Sequence, residues 1–456
     1  MVFGEFILYK FLRKTVHLKI NQVVGDKNEL ISVENAINLK PINPKCYLET
    51  YKKFTYMKFG IIKERKNPPD KRVVFSPSDL IQLKNEHPTV ELKVESSDDR
   101  IFTDQEYIDA GIEVFSDISD CDVFFGVKEV PVEALIPNKK YFFFSHTLKK
   151  QPHNRALLQA ILQKNIDLYD HETIVDKHNN RLIGFGRYAG IVGAYNGFRA
   201  FGIKFELFNL PKASTLSNQN ALIEKLKRQV LPPLKIVVTG HGKVGKGVIE
   251  MLKAMKIKEV SIENYLSKIY AEPVYTQLDV LDYNVRKDGQ VKDNHDFYNN
   301  PEDYVSNFQR FANVSDIYFV AHFHGNNAPD ILTRLMLQSK DCKLKVVADI
   351  SCDVDGPIAC TIRSSTIAEP IYGYLPSENK EVSYTHPGAI VVMAVDNLPC
   401  ELPKDASEGF GKMFLEHVVA AFFDDDKDGI LKRSKMTENG KLTERFKYLQ
   451  DFIDGK

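Results

Sequence analysis

The chain has 456 residues, 43% of them hydrophobic and 27% charged, the balance of a folded globular protein and not of a disordered one. That length exceeds one ordinary core, so two domains are expected, and a formal net charge of zero gives no support to a nucleic-acid or membrane surface. Six scattered cysteines without a CxxC pair fit reduced, cytoplasmic thiols, and no apolar run approaches the ~20 residues of a membrane span.

Residues 1–56 carry Phe, Leu, Lys and Asn without a sustained period and read as an extension of unclear role, with Met57 an alternative start. Lys10, Arg13 and Lys14 among apolar residues suit a targeting peptide, whereas Glu5, Asp26, Glu29, Glu34 and the missing small-residue cleavage site speak against one. From Met57 onward, short apolar runs at 58–62, 90–94, 122–127 and 141–145 read as strands, and 152–162 has helical spacing at Leu157, Leu158, Ile161 and Leu162. Such alternation predicts an α/β domain with a largely parallel sheet. Residues 188–201 are rich in Ala and Gly, with Ile191, Val192, Tyr195 and Phe198 on one face, and predict a closely packed helix between two domains. Residues 207–233, with Pro211, Ser214, Ser217, Pro232 and Pro233, suit a connection.

A β-branched run, Lys235-Ile236-Val237-Val238-Thr239, then meets Gly240-His241-Gly242-Lys243-Val244-Gly245, and helical spacing follows at Val248, Ile249, Met251 and Leu252. In a strand, glycine turn and helix of this kind the first glycine permits the turn and the second admits a pyrophosphate. The third lets helix and strand pack, and the phosphates sit on the helix N-terminus. Later strands are expected at 317–321 and 345–350, with His322-Phe323-His324 as polar lining at a strand end. These histidines lack a third ligand at zinc spacing, and no metal is expected. Residues 282–304 read as a polar surface insertion. Residues 389–395 and a helix near 408–423 have no local partner and are expected to pack back on the first domain. Asp424, Asp426, Asp428 and Gly429 imitate a calcium loop, but Lys435 stands where a bidentate glutamate is required.

The pattern predicts two Rossmann-like α/β domains with parallel sheets separated by a cleft, the C-terminal segment returning to the first. Residues 57–190 and 376–456 would form the substrate and catalytic domain, 191–234 the connecting helix and linker, and 235–375 the dinucleotide-binding domain. Lys128 and His146 fall at neighbouring strand ends. Partial burial lowers a lysine's pKa and histidine titrates near neutrality, so they suit an acid–base pair, although residue type alone also allows two solvated side chains. Arg72 and Arg181 have the planar forks that clamp carboxylates, or that make surface ion pairs.

Five ordered blocks carry a resemblance: Phe125-Gly126-Val127-Lys128-Glu129, Phe143-Phe144-Ser145-His146-Thr147, residues 181–189, Ala348-Asp349-Ile350-Ser351-Cys352-Asp353 and Asp396-Asn397-Leu398-Pro399. Across roughly 57–423 the chain resembles the alanine dehydrogenase and saccharopine dehydrogenase superfamily. Within it, the nearer likeness is to lysine-forming saccharopine dehydrogenases and to the lysine–2-oxoglutarate reductase half of aminoadipic semialdehyde synthases. The resemblance implies hydride transfer between NAD(P) and a small-molecule substrate, saccharopine on one side and lysine plus 2-oxoglutarate on the other. It implies Lys128 as general base and His146 as second acid–base group. Arg72 and Arg181 would hold substrate carboxylates, Gln151 and Phe185 would be further contacts, and Glu129 and Glu172 would meet the lysine amino end or tune the pair. Ser351, Cys352 and Asp353 would face the substrate. Ile350, Asp396, Asn397 and Leu398 would join Gly240, Gly242, Lys243 and Gly245 at the cofactor.

Two departures bear on the cofactor. Leu266 stands where NAD-using members place an acid for the adenosine ribose. By spacing, Glu263 serves instead, about 20 residues after the glycines, while Lys268 would suit a 2′-phosphate, which leaves NAD favoured and NADP open. Val244 and Ala321 replace a cysteine pair found in some members. The rivals are an alanine dehydrogenase-like enzyme and a non-catalytic nucleotide-binding homologue. The oligomeric state is left open.

Overall fold

In the computed structural model, residues 57–66, 70–325 and 327–456 are described, and the extension read at 1–56 lies outside them. The first sheet contains β1 (Lys58–Ile61), β2 (Glu91–Glu95), β3 (Glu113–Phe115), β4 (Val123–Phe125), β5 (Lys140–Phe143) and β6 (Asp167–Asp170). Every pair is parallel, in the order β3-β2-β1-β4-β5-β6. The order reverses between β1 and β4, and the crevice beyond the carboxyl ends of strands at such a switch point is where open α/β sheets take ligands. Helix α1 (Pro77–Glu86) ends the long loop after β1. Its capping box is Ser76, whose hydroxyl accepts the Asp79 N–H while the Asp79 carboxylate accepts the Ser76 N–H. That cap fixes the loop that carries Arg72. Helix α2 (Arg155–Gln163) buries Leu157, Leu158 and Ile161 as its spacing predicts.

Helix α3 (Gly186–Lys204) is buried on nearly all sides and so needs partners all round. One is α4 (Lys243–Ala254), which follows β7 (Lys235–Thr239) through the glycine turn. A Cβ on Gly190 would strike the Val244 carbonyl oxygen, and one on Gly247 the Arg187 carbonyl oxygen. The two backbones touch there, and only glycine fits. After α4 come β8 (Lys258–Glu259), α5 (Ile262–Ser267) and β9 (Val274–Leu278). The polar stretch at 282–304 contains β10 (Asn284–Arg286) and α6 (Asn294–Asn299), and β11 (Tyr304–Ser306) closes an antiparallel hairpin with β10. Tyr283, Phe297 and Tyr304 anchor it in a core beneath, so the insertion is polar only outward.

The second sheet is completed by β12 (Ile317–Val320), β13 (Val346–Asp349), β14 (Ile371–Leu375), β15 (Lys380–Val382) and β16 (Ile390–Met393). Its order is β15-β14-β16-β13-β12-β7-β9-β8, parallel except at β14 and β15. The strand at 390–393 therefore belongs to the second sheet and not, as its isolation in sequence suggests, to the first. Ile390, Val391, Val392 and Met393 are all buried, the mark of an interior strand covered on both faces, and β13 and β14 take up its backbone groups. The return to the first sheet starts later, at α7 (Pro403–Phe414), where the Phe414 ring lies 5.5 Å from Phe125 and 5.8 Å from Phe142. Residues 207–233 hold a helix, Gln219–Lys227, capped by Asn218, within what reads as a plain connection. Apolar side chains of the first sheet, α3, α7 and one face of the second sheet form a single continuous core.

Candidate active site

The loop after β1 leaves the first sheet at its switch point, and its charged residues are fixed by hydrogen bonds. Glu64 accepts the N–H groups of Val127 and Lys128 at 2.6 and 2.8 Å. Burial pushes its carboxyl up to about 8, against those two donors. Arg72 and Asp70 form a buried bidentate pair, Nε to Oδ1 at 2.9 Å and Nη2 to Oδ2 at 2.6 Å. Burial alone would raise Asp70, but the guanidinium outweighs it and holds the carboxyl at about 2. The guanidinium carbon lies 4.2 Å over the Phe185 ring, which stacks on Phe410 at 4.4 Å. Nη2 of Arg72 also reaches the Asn397 Oδ1 at 3.3 Å, so a loop of the second sheet touches a loop of the first. The fork read as a substrate clamp thus has two nitrogens committed, and Nη1 is the edge without a hydrogen bond among the described residues.

Lys128 follows β4 in the same crevice. Burial lowers its amine pKa first, and the Arg72 charge lowers it further, with Asp70 opposing. Glu129 accepts Lys66 Nζ at 3.1 Å on Oε1, while its Oε2 is 3.9 Å from His146 Nε2 and is otherwise buried without a partner. Burial works to raise Glu129, yet Lys66 and His146 help bring it below its ordinary value. His146 follows β5 with φ at 55°, a left-handed backbone that costs a non-glycine residue energy and tends to mark functional positions. Burial and the Lys128 charge both push its pKa down, against Glu129 and Glu172. After β6, Glu172 receives Arg181 Nη2 at 3.1 Å, with the arginine side chain 49% exposed. Gln151 is exposed, and Asn154 Nδ2 links its Oε1 at 3.5 Å to the His146 carbonyl at 3.3 Å.

The second sheet presents glycines and backbone. Gly240 has φ at +95°, and a Cβ there would stand 2.6 Å from the Ala321 carbonyl oxygen. A Cβ on Gly245 would strike the Gly240 carbonyl oxygen. Gly242 caps α4 without any side-chain hydrogen bond, so the first N–H groups of the helix are left for an anion. A dinucleotide's pyrophosphate fits that donor set. The Lys243 side chain does not join it, because its Nζ donates to the carbonyls of Arg181 and Leu182 at 2.9 and 3.0 Å and ties the two crevices together. Ser351 donates to Asp349 at 2.6 Å, Cys352 Sγ donates to the Ala394 carbonyl at 2.9 Å, and Asp353 and Asp396 are exposed. Ile350 and Leu398 are buried against α3, where a Cβ on Gly193 would lie 2.6 Å from Ile350 Cδ1 and 3.4 Å from Leu398 Cδ1. His322 Nδ1 sits 2.7 Å from Thr239 Oγ1, and burial pushes the ring's pKa down to about 3.

Glu263 lies exposed on α5 after β8, and β9 separates β8 from β7. Counting acids from the glycines assumes that the next strand in sequence is the next in space, and here the later strand takes that place. Asp279 follows β9 directly. Its neighbour Leu278 pairs with Thr239 and accepts the Gly240 N–H at 2.9 Å, and Asn294 Nδ2 donates to Asp279 Oδ2 at 2.7 Å.

Residues 60–192 match the family model for the alanine dehydrogenase/PNT N-terminal domain. That match takes in the strands of the first sheet and the start of α3. The chain is 29% identical over 441 residues to an alpha-aminoadipic semialdehyde synthase of Arabidopsis thaliana, covering 86% of this chain and 41% of the relative. It thus spans less than half the length of that protein. It is 25% identical over 353 residues to a saccharopine dehydrogenase [NAD(+), L-lysine-forming] of Yarrowia lipolytica, covering 72% of this chain and 83% of the relative. An L-alanine dehydrogenase structure has the same fold, with a TM-score of 0.58 at 16% identity, over 88% of this chain and 99% of that one.

Around the first sheet, the residues that sequence reading passes over are Glu64, Asp70 and His171. A lone acid just after an apolar strand is a signal for Glu64, and Asp70 stands two residues before Arg72. His171 carries no spacing signal at all. The calcium-like run proves to be a helix start, with Asp426 accepting the N–H groups of Leu431 and Lys432 at 2.9 and 2.8 Å.

Proposed function

We propose that this chain interconverts saccharopine with L-lysine and 2-oxoglutarate, an oxidoreductase acting on a CH–NH bond with NAD. The observation that carries the reading is the convergence of Lys128, Glu129, His146 and Arg72 at the switch point of the first sheet. A nicotinamide cofactor held beside the glycine turn would supply the hydride acceptor or donor for the substrate carbon. The remaining work falls to the chain. Lys128, its amine made easier to deprotonate by burial and Arg72, takes the proton from the substrate's secondary amine. His146 handles the proton of the water that hydrolyses the resulting imine. Arg72 through Nη1, and Arg181 at the exposed rim, hold carboxylates. Glu129 and Glu172 receive the lysine ammonium.

The backbone donors of Gly240 to Gly245 hold the pyrophosphate, and Asp279 takes the adenosine ribose hydroxyls. An acid beside that ribose repels a 2′-phosphate, which favours NAD over NADP. No described helix is long and apolar enough to cross a membrane. Five free cysteines among the described residues suit a reducing compartment, and the cytoplasm is our assignment.

The test is a substrate panel on purified protein: saccharopine with NAD or NADP, lysine plus 2-oxoglutarate with the reduced cofactors, and alanine or pyruvate as the competing pair. Turnover of saccharopine with NAD is expected. Turnover of alanine in its place, or of nothing, overturns the proposal.

A further inference from the structure

The turn that carries Lys128 is gripped from two sides. Glu64 takes the N–H groups of Val127 and Lys128, and His171 Nε2 lies 2.8 Å from the Gly126 carbonyl oxygen, on the same peptide as the Val127 N–H. A carbonyl oxygen only accepts, so Nε2 bears the proton and Nδ1 is bare. That Nδ1 is buried and has no donor among the described residues. The imidazole is 0% exposed and caged by aromatic rings, with centroids 4.9 Å away at Phe144, 5.2 Å at Phe410 and 5.5 Å at Phe414. Burial presses the ring's pKa down to about 3, so it stays neutral and Nε2 stays a donor at any working pH.

An apolar aromatic cage is a costly place for an unpaired ring nitrogen. A phenylalanine would fill the same space without leaving an acceptor bare. What the histidine supplies in return is a single N–H aimed at Gly126.

We propose that His171 is a positioning residue for Lys128, setting the 126–128 turn through the Gly126 carbonyl and relaying to it the packing of α7 through Phe410 and Phe414. The inference rests on the reading of Lys128 as general base. The charged and titratable groups around the Lys128 amine are Arg72, Asp70 and Lys66 from the β1 loop, His146 from the β5 loop and Cys400 just before α7. A slackened turn lets the amine leave both its burial and the Arg72 charge, so its pKa climbs towards the ordinary lysine value.

The test is His171→Phe, which keeps the ring in its cage and deletes the donor, with His171→Leu as a second variant should the first fail to fold. Limiting acetic anhydride is applied from neutral to alkaline pH, and acetylation of the Lys128 peptide is followed by mass spectrometry, which titrates the amine without any turnover. The expected result is an upward shift of the Lys128 midpoint. It is accompanied by a fall in kcat on the order of 10²-fold, the scale of a small misplacement of a catalytic group, with KM little changed. His171→Gln, which can again donate to Gly126, restores both. An unmoved midpoint in His171→Phe overturns the proposal even if melting temperature or yield falls, and so does a midpoint in His171→Gln as high as in the phenylalanine variant. If the wild type turns over no saccharopine, the proposed reaction fails, while the labelling still decides the role of His171.

Discussion

The two sheets point their carboxyl ends at each other and furnish them in opposite ways. The first sets out Lys66, Asp70, Arg72, Lys128, Glu129, His146, Glu172 and Arg181, nearly all paired and several buried. The second offers a left-handed glycine, an uncapped helix start and the buried apolar chains Ile350 and Leu398. The contrast suits what each is proposed to hold. Proton transfer needs side chains whose charge is tuned by burial and neighbours. A pyrophosphate brings its own charge and needs only close backbone and oriented N–H groups. Desolvated charges are expensive, so the first side requires helix caps, buried pairs and a gripped turn.

That division is broken most sharply at Lys128. Lys128→Met is expected to lower kcat on the order of 10²–10⁴-fold, the range for loss of a general acid–base group, while NADH affinity measured by fluorescence titration stays unchanged. A parallel loss of NADH affinity would show that the two sides do not act separately. Asp70→Asn tests the cost of charge on the first side, since it leaves the Arg72 guanidinium buried without its partner. A loss of about 3–5 kcal/mol is expected from urea unfolding, and a loss below about 1 kcal/mol would mean that the pair is not desolvated in solution. The wild type should show the pair as pH dependence. Asp70 is held at about 2 against an ordinary 3.8, so its stabilisation is complete above the ordinary value and fades as pH falls through about 2. The smallest effect is expected on the second side. Asp279→Ser should shift the ratio of kcat/KM for NAD over NADP about tenfold towards NADP, the worth of roughly one hydrogen bond. A matching shift from Glu263→Ser would return the ribose to α5.

What is legible in the sequence is what is local. The run Lys235–Thr239, the glycine turn and α4 announce themselves because strand, turn and helix signals are contiguous, and the strand ends before Lys128 and His146 do so for the same reason. The place of β16 depends on two strands far from it in sequence, so an isolated apolar run gives no indication of which sheet it enters. The exchange of β8 and β9 is likewise a matter of space, and it moves the acid beside the glycine turn from Glu263 to Asp279. Residue type marks Arg72 as a clamp but cannot say which of its nitrogens Asp70 has taken. His171 is silent in sequence because its role resides in a backbone carbonyl.

Phe410 and Phe414 have a further consequence for synthesis. A ribosome that has released the chain up to Cys400 has delivered every acid, base and glycine of both crevices, but not the α7 rings that close over Phe125, Phe142 and His171. Competence should then wait for α7, and nascent chains would stay inert towards metabolites until it docks.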